Sequence, residues 1–422
     1  MDYIRRFDIQ LDREYVYPGQ YLTGHVILDN RDNIKMRNIR ATLRGRAHVE
    51  WKVMKSGERR TVKDDQYFLD DKMLIWGTEE TEESIPILPR GHHQLPFRFF
   101  VPEASTQVLP CSFESKAGNI RYYIKVTIDI PYASPPQGIK YFTVITPTID
   151  CNEDKYMIPV IAQDVKVLCC FCCRRGPISL NCTLPRTAYC CGESLQLHCD
   201  VNNQSNESAQ LRIQLYQYVE YFIDRGPLGV GKDIHHLILQ HVGSDIEPDS
   251  DVRFSSSPVT SSVIPTDTKE KTSKLIIPVC PPTLIGMCRL IQIYYVLKVV
   301  CVVMKNSGED LHMEFPITIG TKPPRDRSLG VAPPVSYDVA ADYVEGGMYI
   351  SPEFQVGQVY DGSYVTPEGG SDDIILYRPV YVNVDPQKAV SLAKQRHSHT
   401  LGSPSTSDHM PSTSRASTSR QV

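Results

Sequence analysis

The segment Tyr17-Pro18-Gly19-Gln20-Tyr21-Leu22 returns 173 positions later as Cys190-Cys191-Gly192-Glu193-Ser194-Leu195, with glycine and leucine kept in place. A second anchor repeats in the same order: Pro110 followed by Tyr122-Tyr123 is echoed by Pro282 and Tyr294-Tyr295, an offset of 172. Two anchors at nearly one offset predict two copies of one folded unit of roughly 150 residues, a common size for a single domain. A chain of 422 residues holds both copies and leaves a tail.

Each copy reads as sheet. Apolar and polar residues alternate at Phe7–Leu11, Gly24–Leu28 and Ile39–Leu43, then again at Ile120–Ile128, Leu211–Leu215 and Ile291–Val303. That period of two marks strands with one face buried. No stretch of helical period interrupts them, so the fold class is all-β, with two antiparallel sandwiches in tandem. The first covers residues 1–150, a linker 151–162, and the second 163–321. Within the second, Ser244–Ser273 is rich in Ser, Thr and Pro and predicts a long mobile loop. After Pro323-Pro324 the strand pattern fades. Nine acidic residues and one basic residue lie between Asp338 and Asp385, and Ser and Thr supply 13 of the last 32 positions. Residues 322–422 are therefore expected to be a disordered tail.

Composition excludes several classes. A formal net charge of −4 lacks the basic excess of a general nucleic-acid binder. No apolar run follows Met1-Asp2-Tyr3, which predicts no signal peptide. The most apolar stretch, Leu290–Met304, is too short to span a bilayer and carries Lys298 at its middle. The expectation is a cytoplasmic protein, and its 13 cysteines, an odd number in a long chain, are then reduced thiols.

Catalytic and cofactor motifs fail on inspection. Gly226–Lys232 fills most of a phosphate-binding loop, but Asp233 stands where a hydroxyl should meet magnesium, and no helix start follows. Cys169, Cys170, Cys172 and Cys173 flank Phe171 too closely for one tetrahedral zinc site, because neighbouring side chains on a strand diverge. The same four are candidates for S-acylation, a membrane foothold. His92-His93 and His235-His236 diverge for the same reason. No cofactor, metal or catalytic residue is expected, and the chain is not read as an enzyme.

Several segments together resemble the arrestin superfamily, on its α-arrestin (arrestin-domain-containing) branch. In the first copy they are Tyr17–Gly24, Leu43-Arg-Gly-Arg-Ala47 with Trp51, Leu88–His92 running into Leu95–Phe99, Ser112-Phe113-Glu114 and Gly118–Tyr122. In the second they are Gly176–Leu180, Tyr189–Glu193, Pro281-Pro282-Thr283 and Pro316–Thr321. The resemblance covers about three quarters of the chain. It implies two immunoglobulin-like arrestin sandwiches and an adaptor that works by binding, with Ser112-Phe113-Glu114 as framework rather than catalyst.

The resemblance also implies a tail that binds WW domains of HECT-type ubiquitin ligases through Pro-Pro-x-Tyr. Two degenerate forms are present. Pro333-Pro334-Val335-Ser336-Tyr337 has one residue too many, and Arg378-Pro379-Val380-Tyr381 lacks the first proline. The partner-binding candidates are therefore Pro333, Pro334, Tyr337, Pro379 and Tyr381. Seven tyrosines (337, 343, 349, 360, 364, 377 and 381) punctuate this acidic stretch. Tyr381-Val382-Asn383-Val384 suits a phosphotyrosine-reading adaptor that selects asparagine two residues on. The expected function is an adaptor joining membrane cargo proteins to ubiquitin-ligase or endocytic machinery, recruited peripherally to plasma membrane or endosomes. The alternatives are a phosphotyrosine or redox signalling scaffold and a retromer-like coat subunit.

Overall fold

The structure, a computed structural model, describes residues 3–55, 57–79, 85–170, 173–223, 229–256, 270–272, 274–304, 310–325 and 333–340. In the tail it further describes 349–351, 359–360, 364–365 and 374–385. Apart from one turn of 3-10 helix at Asp154–Tyr156, the described elements are strands.

The first domain runs β1 (Ile4–Leu11), β2 (Tyr15–Val16), β3 (Tyr21–Asn30), β4 (Asn38–Lys55), β5 (Glu58–Gly77), β6 (Gly91–Phe100), β7 (Gly118–Asp129) and β8 (Gln137–Val144). One sheet has the order β1-β3-β6, and the other follows the path β2-β8-β7-β4-β5. The second domain holds β9 (Val160–Cys170), β10 (Cys173–Leu184), β11 (Ala188–Tyr189), β12 (His198–Asn203), β13 (Ala209–Ile223), β14 (Val230–Ile246), β15 (Ser250–Ser255), β16 (Ile291–Val303) and β17 (Leu311–Ile319). Its sheets follow β9-β10-β12-β15 and β11-β17-β16-β13-β14. The second path repeats the first domain's β2-β8-β7-β4-β5 strand for strand, so the duplication seen in sequence is a duplication of topology.

The repeated turn shows why its residues recur. Gly19 and Gly192 both have φ +83°, a region that favours glycine. The Gly19 N–H donates to the Val101 carbonyl and the Gly192 N–H to the Ile277 carbonyl, each at 2.8 Å. The Gln20 side chain accepts from the Tyr17 N–H at 3.4 Å, as Glu193 accepts from the Cys190 N–H at 2.6 Å. The second anchor is a tyrosine pair shifted by one residue. Buried Tyr122 donates its hydroxyl to the Pro110 carbonyl at 2.8 Å, and its counterpart is Tyr295, which donates to Pro281. That shift brings the tyrosine offset to the 173 of the turn.

Alternation places the core between the two sheets of each domain. Val26, Leu28, Phe97 and Phe99 meet Leu43, Ile124, Val126 and Phe142 in the first, and Leu180, Val201, Ile213, Leu215, Leu297 and Phe315 fill the second. The side chain of Glu114 is 0% exposed and that of Arg121 3%, and they form a bidentate ion pair at 2.5 and 3.0 Å. This anchors the short strand Phe113–Glu114 against β7 and supports the framework reading of that motif. Arg186 and Glu193 form a similar pair at 3.1 Å in the second domain.

The domains touch directly. Tyr221 of β13, fully buried, shares a 2.7 Å hydrogen bond with Ser115 and packs its ring on Trp51 at 6.4 Å. Arg289 reaches Asp64 of β5 at 3.0 Å. The linker is clasped to the end of the second domain: Lys322 pairs with Asp150 at 2.5 Å, and the Cys151 N–H donates to the Lys322 carbonyl.

Three expectations need amending. β9 opens at Val160, inside the segment assigned to the linker. The expected loop Ser244–Ser273 contains strand at both ends of its first part: β14 runs to Ile246, and β15 buries Phe254 against His241 at 5.2 Å. One aromatic and one valine at alternate positions of Ser250–Ser255 are enough to claim a place in the sheet, whatever the surrounding composition. Residues 257–269 lie outside the described residues. The third amendment concerns the tail, which is not disordered throughout. Val335–Val339 (β18) and Val380–Val384 (β19) pair antiparallel, with Tyr337 opposite Val382; β19 buries Tyr381, Val382 and Val384, whereas β18 leaves Val335 and Val339 exposed and half-buries only Tyr337.

Candidate functional site

The β18–β19 pair lies across the junction of the two domains and the linker. From the first domain, Thr143 Oγ1 accepts the Val380 N–H at 3.2 Å, and the Ser112 carbonyl accepts the Tyr381 hydroxyl at 3.2 Å. From the second, the Cys191 carbonyl accepts the Val384 N–H at 2.9 Å, and Cys191 and Asn383 form an isolated parallel bridge. Val384 is 3% exposed and completes an apolar cluster with Cys151, Ala188 and Cys190, joining linker to second domain. Gly192 is required here by contact as well as by conformation, since a Cβ would lie 2.1 Å from the Val384 carbonyl oxygen.

Tyr337 is held on the other side. Its ring stacks on Tyr15 at 3.9 Å, and its hydroxyl meets the Tyr17 hydroxyl at 3.1 Å. Burial and this hydrogen bond push the Tyr17 hydroxyl well above its ordinary pKa. Pro333, Val335 and Tyr337 line a groove of about 370 Å³ with Tyr17, Asn152 and Lys322. Within the pair, Arg378 donates to the Ala340 carbonyl at 2.9 Å, and Asn383 donates to Asp338 at 2.8 Å.

The structure therefore brings the partner-motif residues together and covers two of them, Pro379 and Tyr381. Tyr381 is 3% exposed and Pro379 is buried, while Pro333, Pro334 and Tyr337 are half-buried. Sequence reasoning placed these residues in an extended, solvated ligand. It missed their receptor, made of Tyr15, Tyr17, Ser112, Thr143, Cys191 and Gly192. One signal was available, because Tyr17, Cys191 and Gly192 belong to the duplicated turn.

The remaining candidates are placed as follows. Cys169 and Cys170 end β9 and Cys173 begins β10, so they stand at the tip of a hairpin; Cys172 lies outside the described residues. Cys190 and Cys191 instead face Cys151 and Cys280, each at 3.8 Å. The nine cysteines whose side chains are described are buried free thiols, and burial pushes that of Cys111 up to about 12. Among the described residues no cluster of His, Cys, Asp or Glu could hold a metal ion. Lys232 sits in β14 opposite Tyr221, with no helix after it. His92 and His235 point outward while their neighbours are half-buried, and His397 and His399 lie outside the described residues.

Two family models match in series: arrestin (or S-antigen), N-terminal domain, over residues 7–152, and arrestin (or S-antigen), C-terminal domain, over residues 174–324. The chain belongs to the arrestin family, on its α-arrestin branch. It is 26% identical over 312 residues to the human arrestin domain-containing protein 4, covering 72% of this chain and 68% of that protein. To arrestin domain-containing protein 17 of Caenorhabditis elegans it is 26% identical over 330 residues, covering 75% and 71%. Human thioredoxin-interacting protein matches at 26% over 204 residues, covering 47% of this chain and 50% of that one. Arrestin-family proteins are generally non-enzymatic adaptors that bind other proteins. No described helix of this α-arrestin is long and apolar enough to cross a membrane.

Proposed function

We propose that this α-arrestin is an adaptor linking membrane cargo proteins to ubiquitin-ligase or endocytic machinery, and so controlling their transport and turnover. The observation that carries the reading is the union, in one chain, of both arrestin domains with a tyrosine-bearing tail segment built for extended, strand-like recognition. The domains engage cargo without a covalent step. The tail supplies Pro379 and Tyr381, and more weakly Pro333, Pro334 and Tyr337, to WW grooves, which seat a proline and a tyrosine side by side. Phosphotyrosine-reading adaptors are a second class of tail partner.

Recruitment from the cytoplasm to plasma membrane or endosomes has its own support. Ile161, Val165 and Val167 point to one face of the edge strand β9 and are 69%, 51% and 57% exposed, leading to the cysteine-rich hairpin tip. Exposed apolar area of this kind marks interaction surface, and S-acylation at Cys169, Cys170, Cys172 or Cys173 would hold that face to a bilayer.

Proximity labelling in cells tests the reading, comparing the full chain with one stopped after Thr321. Loss of ligase and endocytic neighbours with retention of membrane proteins is the expected result. Identical neighbours for both chains would refute the adaptor role of the tail.

A further inference from the structure

We propose that Tyr381 is a gated phosphorylation site, and that the β18–β19 pair is a latch which phosphorylation at this tyrosine holds open. The inference goes beyond the adaptor reading and does not depend on which machinery the tail recruits.

The docked state is specific for the unmodified tyrosine. Its hydroxyl is a hydrogen-bond donor, seated against the Ser112 carbonyl oxygen at 3.2 Å in a site that leaves the residue 3% exposed. A phosphate there replaces the donor with three acceptor oxygens and nearly two negative charges. Acceptor would face acceptor at the Ser112 carbonyl, and the added charge would lie in a site that leaves the residue 3% exposed to water. The phosphorylated tyrosine cannot re-enter the site against Ser112.

Kinase access has the same geometry. A tyrosine kinase must reach the hydroxyl to form the Oη–P bond while the bond between the γ-phosphorus of ATP and its bridging oxygen breaks, ADP leaving and the hydroxyl proton passing to the kinase's base. In the docked state the hydroxyl is covered, so transfer waits on release of β19. Release has four points to undo, at Thr143, Ser112, Cys191 and the Val384 slot, and Tyr337 on Tyr15 adds a fifth.

Docking also uses the groups that a reader would need. Asn383, two residues past the tyrosine, is tied to Asp338 and bridged to Cys191. Pro379, the proline of the WW-like motif, is buried. Docked and partner-bound states are therefore mutually exclusive, and phosphorylation selects between two readers. It presents phosphotyrosine-Val-Asn to an SH2 domain that selects asparagine at that position. It also spoils the aromatic pocket contact a WW groove makes with a neutral tyrosine.

The test uses the purified full chain, a peptide spanning Ile374 to Asp385, a broad-specificity tyrosine kinase and site-resolved mass spectrometry. Tyr381 in the full chain should be phosphorylated roughly tenfold or more slowly than in the peptide, since only the opened fraction reacts. Val384→Asp, which fills the apolar slot with charge, should raise the full-chain rate toward the peptide rate. Tyr337→Ala acts from the other side of the latch and should do the same, so the test survives if either variant folds poorly. After phosphorylation, the amides of Val380 and Val384 should lose hydrogen-exchange protection, and an asparagine-selective SH2 domain should bind the full chain. Equal rates for full chain and peptide would overturn the gate. Protection at Val380 and Val384 that persists on the phosphorylated chain would overturn the latch.

Discussion

Replacing Glu114 by alanine removes the carboxylate that forks onto the Arg121 guanidinium, which is 3% exposed. The two hydrogen bonds lost are 2.5 and 3.0 Å long and arranged as a fork, the geometry in which a buried pair is strongest. Breaking a buried pair by removing one partner costs about 3–5 kcal/mol, because the remaining charge is stranded. For a domain of this size each kcal/mol moves the midpoint by about 2–4 °C. The first domain of Glu114→Ala should therefore melt roughly 6–20 °C lower in a calorimetric scan. The double change Glu114→Leu with Arg121→Met should recover most of that, because two apolar side chains of similar volume carry no desolvation penalty. The control is Glu58→Ala, which breaks the exposed Arg60–Glu58 pair, 63% and 71% exposed, and should cost no more than about 1 kcal/mol. If Glu114→Ala costs no more than Glu58→Ala, the pair is not the keystone of the Phe113–Glu114 strand, and the framework account of this motif fails.

Three further outcomes are expected. A chain stopped after Thr321 should melt several degrees lower than the full chain, since it loses the side chains that fill the junction around Cys151 and Cys190; an unchanged midpoint would mean that the tail contributes no packing. Tyr381→Phe removes the hydrogen bond to Ser112, worth about 0.5–1.5 kcal/mol, so exchange of the Val380 and Val384 amides should speed up roughly two- to twelve-fold. Lastly, burial opposes ionisation of Asp150, but hydrogen bonds from Lys322 and Asn152 outweigh it and hold the carboxyl at about 2, below its ordinary 3.8. A carboxyl depressed in the folded state contributes stability that is present above 3.8 and is lost as pH falls toward 2. Asp150→Asn should remove that part of the acid sensitivity, read as midpoint against pH; identical acid profiles would refute it.

The duplication was legible because its residues are tied to backbone geometry. A glycine at φ +83° and a tyrosine hydroxyl aimed at a proline-segment carbonyl leave few substitutes, so the two copies kept them at one spacing. The strands were legible because one face of each is buried and the period of two follows. The docked tail was not. Val380-Tyr381-Val382-Asn383-Val384 alternates as a strand does, yet its five residues sit in acidic, proline-punctuated sequence, and its partner Val335–Val339 lies some 45 positions upstream. Neither segment can bury a face alone, and the burying surface is assembled from Ser112, Thr143 and Cys191, which are distant in sequence. The motif reading of Pro379 and Tyr381 singled these residues out as ligand groups and was silent about where they are kept.

The two turns duplicated in the chain, Tyr17-Pro-Gly and Cys190-Cys-Gly, are both touched by the tail: Tyr337 meets the first through the Tyr17 hydroxyl, and Val384 meets the second through the Cys191 carbonyl. The tail pair thus works as a caliper whose jaws rest on equivalent points of two homologous bodies. Its grip depends on how far apart those bodies stand, and an N–H to carbonyl contact weakens steeply once stretched by half an ångström or so. Anything that wedges or rotates one sandwich against the other is therefore reported at Tyr337 and Val384, and a tail that closes its jaws fixes the spacing in return.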